Sequence, residues 1–329
     1  MIGMRLRRFL LAALAVHMPV AAAPVANNRP KTSAILVDRG VRLEVRDWGG
    51  AGAPLVLLAG FGGTASDFDE LAQKFTPKHR VIAITRRGFG NSSSPPPLVS
   101  NYTPERLAAD TIAVLDKLKI PRAFVAGHSV AGQELSELGN VHPDRIAGLI
   151  YLEAANAQAF YGTRANTLYP IAGEVRRDLE RLIRSQPSEA LALVAKIEGE
   201  LPRLQRGLEW YKRAVQGVPD RPTDIMNSPM MATQTAVVLG AKIFGPSKLP
   251  TLALFASPPQ CDPDCGSSAS KRRAADVEMQ IDDFINANPR ATVIRIPFAS
   301  HFIWQSNELD TVRAMNAFMD ARAAAPNGG

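Results

Sequence analysis

The segment VAGHSVAG (residues 125–132) contains a serine whose neighbours suit a nucleophile. Ser129 follows an apolar run and precedes a helix-like segment, and Gly127, Ala131 and Gly132 leave little side-chain bulk around it. A strand that turns into a helix within one residue crowds the backbone, so only small residues fit beside the turn. Strain of this kind is usually kept where a side chain must face a substrate. We therefore predict that Ser129 is a nucleophile; the alternative is a helix N-cap.

A serine hydroxyl is a poor nucleophile, so a base must take its proton, and histidine is the most frequent one. His301 lies in the segment IPFASHFIW, just after the last strand-like run, and is the predicted general base. The alternative is a histidine on a surface loop. The other histidines of the chain fit the role less well: His17 near the N-terminus, His79 before a strand, His128 beside the serine and His142 at a helix end.

Unbroken apolar runs predict the strands that would position these residues. They cover residues 54–60, 80–86, 123–128, 147–153, 251–257 and 291–297. Strands without polar alternation indicate a sheet that is covered on both faces. Helix-like segments such as 104–118 and 130–140 separate the runs, so we predict an α/β fold with a mostly parallel sheet flanked by helices. Two earlier runs, 34–38 and 41–48, predict a hairpin.

The β/α alternation stops after the fourth run, and helix-like stretches broken by prolines follow. Because strands resume later, we predict a helical lid inserted at 156–247. The core would then comprise 34–155 and 248–322, preceded by a linker at 24–33. The lid suggests an apolar acyl or alcohol pocket, although most of its large residues are expected to form the lid's own core. These residues are Tyr161, Leu168, Tyr169, Trp210, Tyr211, Met226, Met230 and Met231.

The order of these elements and the turn from Gly127 to Ala131 resemble the α/β-hydrolase superfamily, from Ala34 to about Met319. The G-x-S-x-A motif lies between a strand and a helix, as the superfamily's nucleophile elbow does. The resemblance implies a serine hydrolase that cleaves a carboxylic ester through an acyl-enzyme. Amide, lactone and carbon–carbon bond cleavage use the same set of residues. The serine argues against the dehalogenases and epoxide hydrolases of this fold, which use aspartate.

A second motif supports the same resemblance, because TRRGFGNSS (residues 85–93) is similar to the superfamily's D-x-R-G-x-G-x-S turn. We interpret this segment as structural. The alternative to an enzyme is a catalytically silent member of the superfamily that binds a small ligand or a partner.

The resemblance also implies two backbone N–H donors for the oxyanion of the tetrahedral intermediate. One is the N–H of Val130, directly after the serine. The other comes from the loop GFGG (residues 60–63), and Phe61 is its predicted donor. Similar hydrolases often have His-Gly at the start of this loop, whereas this chain has Ala59-Gly60. The change removes an imidazole that would brace the loop but keeps the backbone donor.

The acid that would orient His301 departs from the commonest pattern of the superfamily. Most similar hydrolases carry an aspartate in the turn after the strand predicted here at 251–257, but the turn SPPQ of this chain contains no acid. Asp262 and Asp264 lie further on, in CDPDC. Glu153 ends the preceding strand, which is an alternative placement in the superfamily, and a similar bacterial subgroup reads YL[DE]A there. We predict Glu153, with Asp262 as its competitor.

Composition narrows the classes of partner. The chain has 329 residues, 46% of them hydrophobic and 21% charged, as in ordinary globular proteins. Its formal charge of +7 comes without a basic run or a stripe of basic and aromatic residues, which argues against nucleic acid as a partner.

Cys261 and Cys265 could form a disulfide in an oxidising compartment, remain free thiols or provide half of a metal site. We predict no metal and no organic cofactor, and a small-molecule ester or related acyl compound as the substrate.

The N-terminal residues predict export. Three arginines within the first eight residues precede an apolar run at 9–16, and Ala21-Ala22-Ala23 resembles a cleavage site, so residues 1–23 fit a secretory signal peptide. A membrane anchor is the alternative, but the run is too short to span a bilayer. Cleavage removes three arginines and no acid, which lowers the formal charge from +7 to +4. We expect a periplasmic or secreted protein with no stable membrane anchor.

N-terminal sequencing tests this expectation. Protein purified from the periplasm or the culture medium should begin near Pro24, because cleavage after Ala23 leaves that residue first. A soluble mature protein that still begins at Met1 would contradict export with cleavage.

Overall fold

The computed structural model describes residues 29–155, 168–217, 219–220, 222–261 and 264–323. The predicted signal peptide, Tyr161 and Asp262 lie outside the described residues. Within these ranges the strands form one sheet. They are β1 (Lys31–Asp38), β2 (Val41–Gly49), β3 (Leu55–Leu58), β4 (Val81–Ile84), β5 (Ala123–His128), β6 (Ile146–Leu152), β7 (Thr251–Ala256) and β8 (Thr292–Ile296).

The strand order across the sheet is β1-β2-β4-β3-β5-β6-β7-β8. The hairpin β1–β2 and the pair β2–β4 are antiparallel, and every other neighbouring pair is parallel. All residues of β3, β4, β5 and β7 are buried. This burial explains why their sequences are unbroken apolar runs, and the predicted α/β fold class is confirmed.

The first strand begins at Lys31, three residues earlier than the predicted core and inside the predicted 24–33 linker. Residues 31–33 pair with residues 45–47 of β2. Because β1 is an edge strand with partly exposed side chains, polar residues are compatible with it, and no apolar pattern marks its start.

Helices cover both faces of the sheet. The described helices are α1 (Asp69–Phe75), α2 (Pro104–Lys117), α3 (Ala131–Val141), α4 (Leu168–Arg184), α5 (Pro187–Val215), α6 (Thr223–Met226), α7 (Pro229–Gly240), α8 (Ser268–Ala287), α9 (Ile303–Ser306) and α10 (Glu308–Ala323). One core lies between the sheet and α2, α3 and α8, and the other between the sheet and α1, α9 and α10. No helix in the ranges that the structure covers is long and apolar enough to cross a membrane.

Helices α4 to α7 lie between β6 and β7, and we call them the helical insertion. The prediction that prolines break the helices here is wrong for Pro202, which lies inside α5. Its position is exposed, so the carbonyl that loses its helical partner can bind water instead. Pro187 and Pro229 instead start α5 and α7, where proline's fixed φ and missing N–H are tolerated.

The chain that returns from the insertion is tied to α3. The Lys242 N–H donates to Gln133 Oε1 at 2.8 Å, and Gln133 Nε2 donates to the Lys242 carbonyl at 3.1 Å. The Lys242 ammonium also lies 2.7 Å from a Glu105 oxygen and 3.0 Å from a Glu137 oxygen. These bonds hold the insertion against the helix that begins just after Ser129.

Candidate active site

Ser129 lies at the predicted turn between β5 and α3, with a φ of 53°, in the left-handed region that residues other than glycine rarely adopt. Its N–H donates to the Leu152 carbonyl at 3.3 Å, which ties the turn to β6. A Cβ on Gly127 would lie 3.0 Å from the Ala131 Cβ and 3.1 Å from Leu135 side-chain atoms. The small residues around the serine are therefore required by close packing between the strand and the helix.

Glu153 has the same unusual backbone at the end of β6, with a φ of 49°. Its N–H donates to the Leu254 carbonyl at 3.0 Å, and its Oε1 accepts a 2.6 Å bond from the Ala256 N–H of β7. Its Oε2 lies 3.4 Å from His301 Nδ1. The glutamate thus reaches from one strand end across the next, and it orients its carboxylate toward the imidazole.

The competing acids are placed differently. Asp264 is exposed, and its Oδ1 accepts a 2.7 Å bond from the Gly266 N–H within its own turn. Asp262 lies outside the described residues. A disulfide joins Cys261 and Cys265, the first of the three arrangements that the sequence allows. The structure therefore brings Glu153, and not Asp264, to His301.

The loop after β3 lies against the serine. A Cβ on Gly60 would lie 3.2 Å from the Ser129 Cβ, so only glycine allows the loop to come this close. Gly62 has a φ of +77°, which turns the chain immediately after Phe61. Phe61 packs edge-on against Phe89, with the ring centroids 5.0 Å apart. Within the described ranges, no acceptor is found for the backbone N–H of Phe61 or of Val130.

His128, whose position in the sequence indicates only a place in the elbow, hydrogen-bonds to the backbone of the segment that carries His301. The imidazole is 3% exposed, and its Nε2 donates to the His301 carbonyl at 3.0 Å. Its ring also contacts the rings of His301, Phe302 and Trp304, at centroid distances of 4.5, 5.0 and 4.7 Å. The one sequence signal for this role is Gly60, because a Cβ there would lie 2.6 Å from His128 Nδ1.

The electrostatics of the site keep His128 neutral. Burial above all, and then the neighbouring His301 and Arg86, lower the pKa of His128 to about 3. At neutral pH its Nε2 therefore carries the single ring proton that the His301 carbonyl accepts. Arg86 is itself buried, and its guanidinium lies 3.3 Å from a Glu134 oxygen of α3.

Ser129, Val130, Glu153 and His301 line one cavity of about 350 Å³, which we call the apolar cavity. The helical insertion supplies much of the remaining wall. Among the large lid residues named from the sequence, three line it: Leu168, Tyr169 and Trp210. Tyr211 packs edge-on against Tyr169, with the ring centroids 6.1 Å apart, and Met226 and Met230 are about half exposed.

The sequence profile of the alpha/beta hydrolase fold matches residues 53–254, which is more than half of the chain and includes Ser129 and Glu153. The chain therefore belongs to the alpha/beta hydrolase fold family, as its resemblance indicated. His301 lies after the matched segment, in the part of the chain that follows β8.

Curated relatives match only part of this chain. A predicted non-heme haloperoxidase of Mycobacterium phage D29 is 36% identical over 39% of this chain and 45% of its own length. A predicted carbamate hydrolase, RutD, of Caulobacter segnis is 34% identical over 34% of this chain and 42% of its own length. Bifunctional epoxide hydrolase 2 of Mus musculus is 33% identical over 41% of this chain and 25% of its own length. The matches therefore span less than half the length of these relatives.

Solved structures resemble almost the whole chain. A thermophilic esterase from Thermogutta terrifontis has a TM-score of 0.56 at 21% identity, covering 89% of this chain and 99% of its own. A membrane phospholipase A has a TM-score of 0.55 at 20% identity, covering 91% and 88%. These similarities show that the fold extends through the helical insertion and the last helices.

Replacing His128 should change how stability depends on pH. In the unfolded chain this histidine takes up a proton near pH 6.5, but in the folded protein only near pH 3. The unfolded state therefore binds more protons between these values. The stability that the neutral His128 contributes is full well above pH 6.5 and is lost as the pH falls. Between about pH 7.5 and about pH 5 the loss is about 2 kcal/mol.

His128→Phe keeps an aromatic ring at this position, but that ring cannot titrate. The free energy of unfolding of this variant should therefore fall less on acidification than that of the wild type. Urea unfolding of both proteins at about pH 7.5 and about pH 5 measures this difference. His128→Gln, which also cannot titrate, is the matched control and should show the same flatter dependence. Parallel pH profiles for all three proteins would contradict a neutral, buried His128.

Proposed function

We propose that this protein is a serine hydrolase that cleaves a carboxylic ester through an acyl-enzyme on Ser129. The observation that supports the proposal most is the shared cavity: Ser129, His301 and Glu153 all line it, and the His301 and Glu153 side chains lie 3.4 Å apart. A nucleophile, a base and a carboxylate that orients the base form the set that acyl transfer requires.

In the first step the Ser129 Oγ attacks the carbonyl carbon of the ester while His301 Nε2 takes the hydroxyl proton. Glu153 accepts a hydrogen bond from His301 Nδ1, which holds the tautomer with a free Nε2. The carboxylate also offsets the positive charge that the imidazole acquires. The second Glu153 oxygen is held by the Ala256 N–H, so the carboxylate is oriented before the substrate arrives.

The carbonyl oxygen becomes an oxyanion in this step. The N–H groups of Phe61 and Val130 are its proposed donors, because no described acceptor takes their hydrogen bonds. Donors that are already in place need not reorganise as the charge develops, which is why such groups lower the barrier. Because Val130 follows Ser129, the strained turn sets its N–H beside the reacting carbonyl.

Collapse of the intermediate breaks the bond to the alcohol oxygen, which leaves with the proton from His301 Nε2. Water then repeats the sequence: His301 takes its proton, the hydroxide oxygen bonds to the acyl carbon, and Ser129 regains its proton as the acid departs. The apolar cavity, with Leu168, Tyr169 and Trp210 in its wall, suits an apolar acyl group.

We also propose that the protein acts in the periplasm or outside the cell, as its N-terminal sequence predicts. The disulfide between Cys261 and Cys265 supports this proposal, since such bonds persist mainly in oxidising compartments. N-terminal sequencing of the exported protein is its test.

Ser129 should react with a serine-directed fluorophosphonate, and Ser129→Ala should not. The variant should hydrolyse p-nitrophenyl esters about 10⁴-fold or more slowly than the wild type, because removing the nucleophile disables a set that works as a unit. A panel of acyl chain lengths identifies the preferred acyl group. Circular dichroism controls for folding. A folded wild type that is neither labelled nor active on any ester would favour the catalytically silent alternative.

Glu153→Gln should lower ester turnover by about 10³- to 10⁴-fold, because the amide cannot support the imidazolium. Asp264→Asn is the matched control: it removes one carboxylate from an exposed turn and should change turnover less than about twofold. Asp262→Asn should behave like the control. Initial rates with one p-nitrophenyl ester compare the variants. If Asp262→Asn cripples the protein while Glu153→Gln is nearly silent, the assignment of the acid is wrong.

A further inference from the structure

A second cavity, of about 280 Å³, lies beside the pair formed by Glu153 and His301. Both residues also line the apolar cavity, but Ser129 and Val130 line only the apolar one. We call the second space the polar cavity. It therefore begins at the proposed base and not at the proposed nucleophile.

The polar cavity carries groups that can bind an anion. Arg273 of α8, Gln260 and Ser300 lie in its wall. Arg273 has no hydrogen bond or ion pair with any other residue in the described ranges. The Ser300 Oγ accepts a 3.2 Å bond from the Phe302 N–H and keeps its own proton available. A guanidinium, an amide and a hydroxyl together match the oxygen atoms of a carboxylate or phosphate.

The wall of this cavity is fixed on the side of residues 257–261. The Gln260 N–H donates to the Ala299 carbonyl at 2.8 Å, and the Phe298 N–H donates to the Pro258 carbonyl at 2.7 Å. The disulfide between Cys261 and Cys265 closes the adjacent turn. A ligand that enters here would therefore meet a wall that is already formed, which lowers the entropic cost of binding.

A further network anchors α8, the helix that carries Arg273. The Ser257 hydroxyl donates to Glu278 of α8, and Arg295 lies 2.9 Å from a Glu278 oxygen. These contacts hold α8, and with it Arg273, against the ends of β7 and β8. The arginine is thus presented from a positioned helix, although its own side chain is exposed.

We propose that the polar cavity binds the leaving alcohol of the substrate, and that this alcohol carries an anionic group, a carboxylate or a phosphate, that Arg273 pairs with. The inference rests on the proposed ester hydrolysis. During that reaction the acyl group stays bonded to Ser129, which faces the apolar cavity, whereas the alcohol oxygen takes its proton from His301. Because His301 lines both cavities, the group attached to that oxygen can extend past the imidazole into the polar cavity.

The charges of the cavity favour this substrate class only because of Arg273. The Glu153 carboxylate lines the same space and would repel an anion, and Arg273 supplies the opposing charge. The volume of about 280 Å³ equals that of roughly nine water molecules, which suffices for a short hydroxy acid. The products of the step are the acyl-enzyme and the free hydroxy acid or hydroxyalkyl phosphate, with the Ser129 proton on the new hydroxyl.

Two esters that share an acyl group test the proposal: 4-(butanoyloxy)butanoate and the corresponding neutral amide, 4-(butanoyloxy)butanamide. We expect the wild type to prefer the carboxylate. Arg273→Gln should reduce the ratio of kcat/KM for the carboxylate to that for the amide by about tenfold, the loss typical of one charge-assisted hydrogen bond. Liquid chromatography of the released alcohols measures both rates.

Arg272→Gln is the matched control, because it makes the same change of charge on the adjacent residue of α8, which does not line the cavity. It should leave the ratio within about twofold of the wild-type value. An equal fall of the ratio in both variants would show a long-range effect of net charge and overturn the subsite. An unchanged ratio in Arg273→Gln would overturn it as well.

Binding of the alcohol alone separates this inference from the proposed reaction. Isothermal titration of the wild type with 4-hydroxybutanoate should give at least fivefold tighter binding than titration of Arg273→Gln, whatever the protein does to esters. If this difference in binding is found but no ester is turned over, the anion subsite is supported and the proposed function is contradicted. If esters are turned over without the difference in binding, the function is supported and the subsite is contradicted.

Discussion

The arrangement of the site depends on one carboxylate that is shared between three segments of the chain. Glu153 directly follows β6, accepts the Ala256 N–H of β7 at 2.6 Å, and lies 3.4 Å from His301 in the segment after β8. A carboxylate has two oxygens that each accept hydrogen bonds, so one oxygen can be anchored while the other faces an imidazole. The longer side chain of glutamate is what allows a residue directly after β6 to reach the position beside β7.

The backbone is strained at both strand ends that supply the proposed catalytic groups. Ser129 and Glu153 have φ values of 53° and 49°, and each costs of the order of 1–3 kcal/mol relative to a relaxed backbone. Their N–H groups bond to the carbonyls of Leu152 and Leu254 on the neighbouring strands, which holds both turns in place. The buried parallel sheet thus offsets the strain and points both side chains to the same rim.

Close packing around His128 links the serine turn to the histidine segment. This imidazole fills the space beside Gly60, donates to the His301 carbonyl and packs at steep angles against aromatic rings. The loop that carries Phe61 and the segment that carries His301 therefore rest on the same ring. Its neutral state follows from burial, and a charged ring there would lack a partner that compensates the loss of water. The two cavities meet at the imidazole that this arrangement holds.

The sequence by itself determined the α/β class, because unbroken apolar runs and alternating helices follow from burial on both faces of a parallel sheet. It also identified the turn at Ser129, since the small neighbours are a local steric requirement, and it singled out His301 among few histidines. The bounds of β5 and the start of β7 followed from the same apolar runs. Their catalytic roles stay predictions.

Only the tertiary structure shows that Glu153 lies beside His301, because the distance from a carboxylate to the imidazole depends on how β6, β7 and the segment after β8 pack. The local sequence likewise does not indicate the role of His128, the early start of β1 or the continuation of α5 through Pro202. Each depends on contacts between residues far apart in the chain or on exposure to water. Periodicity and composition report local preference and average burial, whereas the position of an acid beside a histidine is set by distances of a few ångströms between residues far apart in the chain.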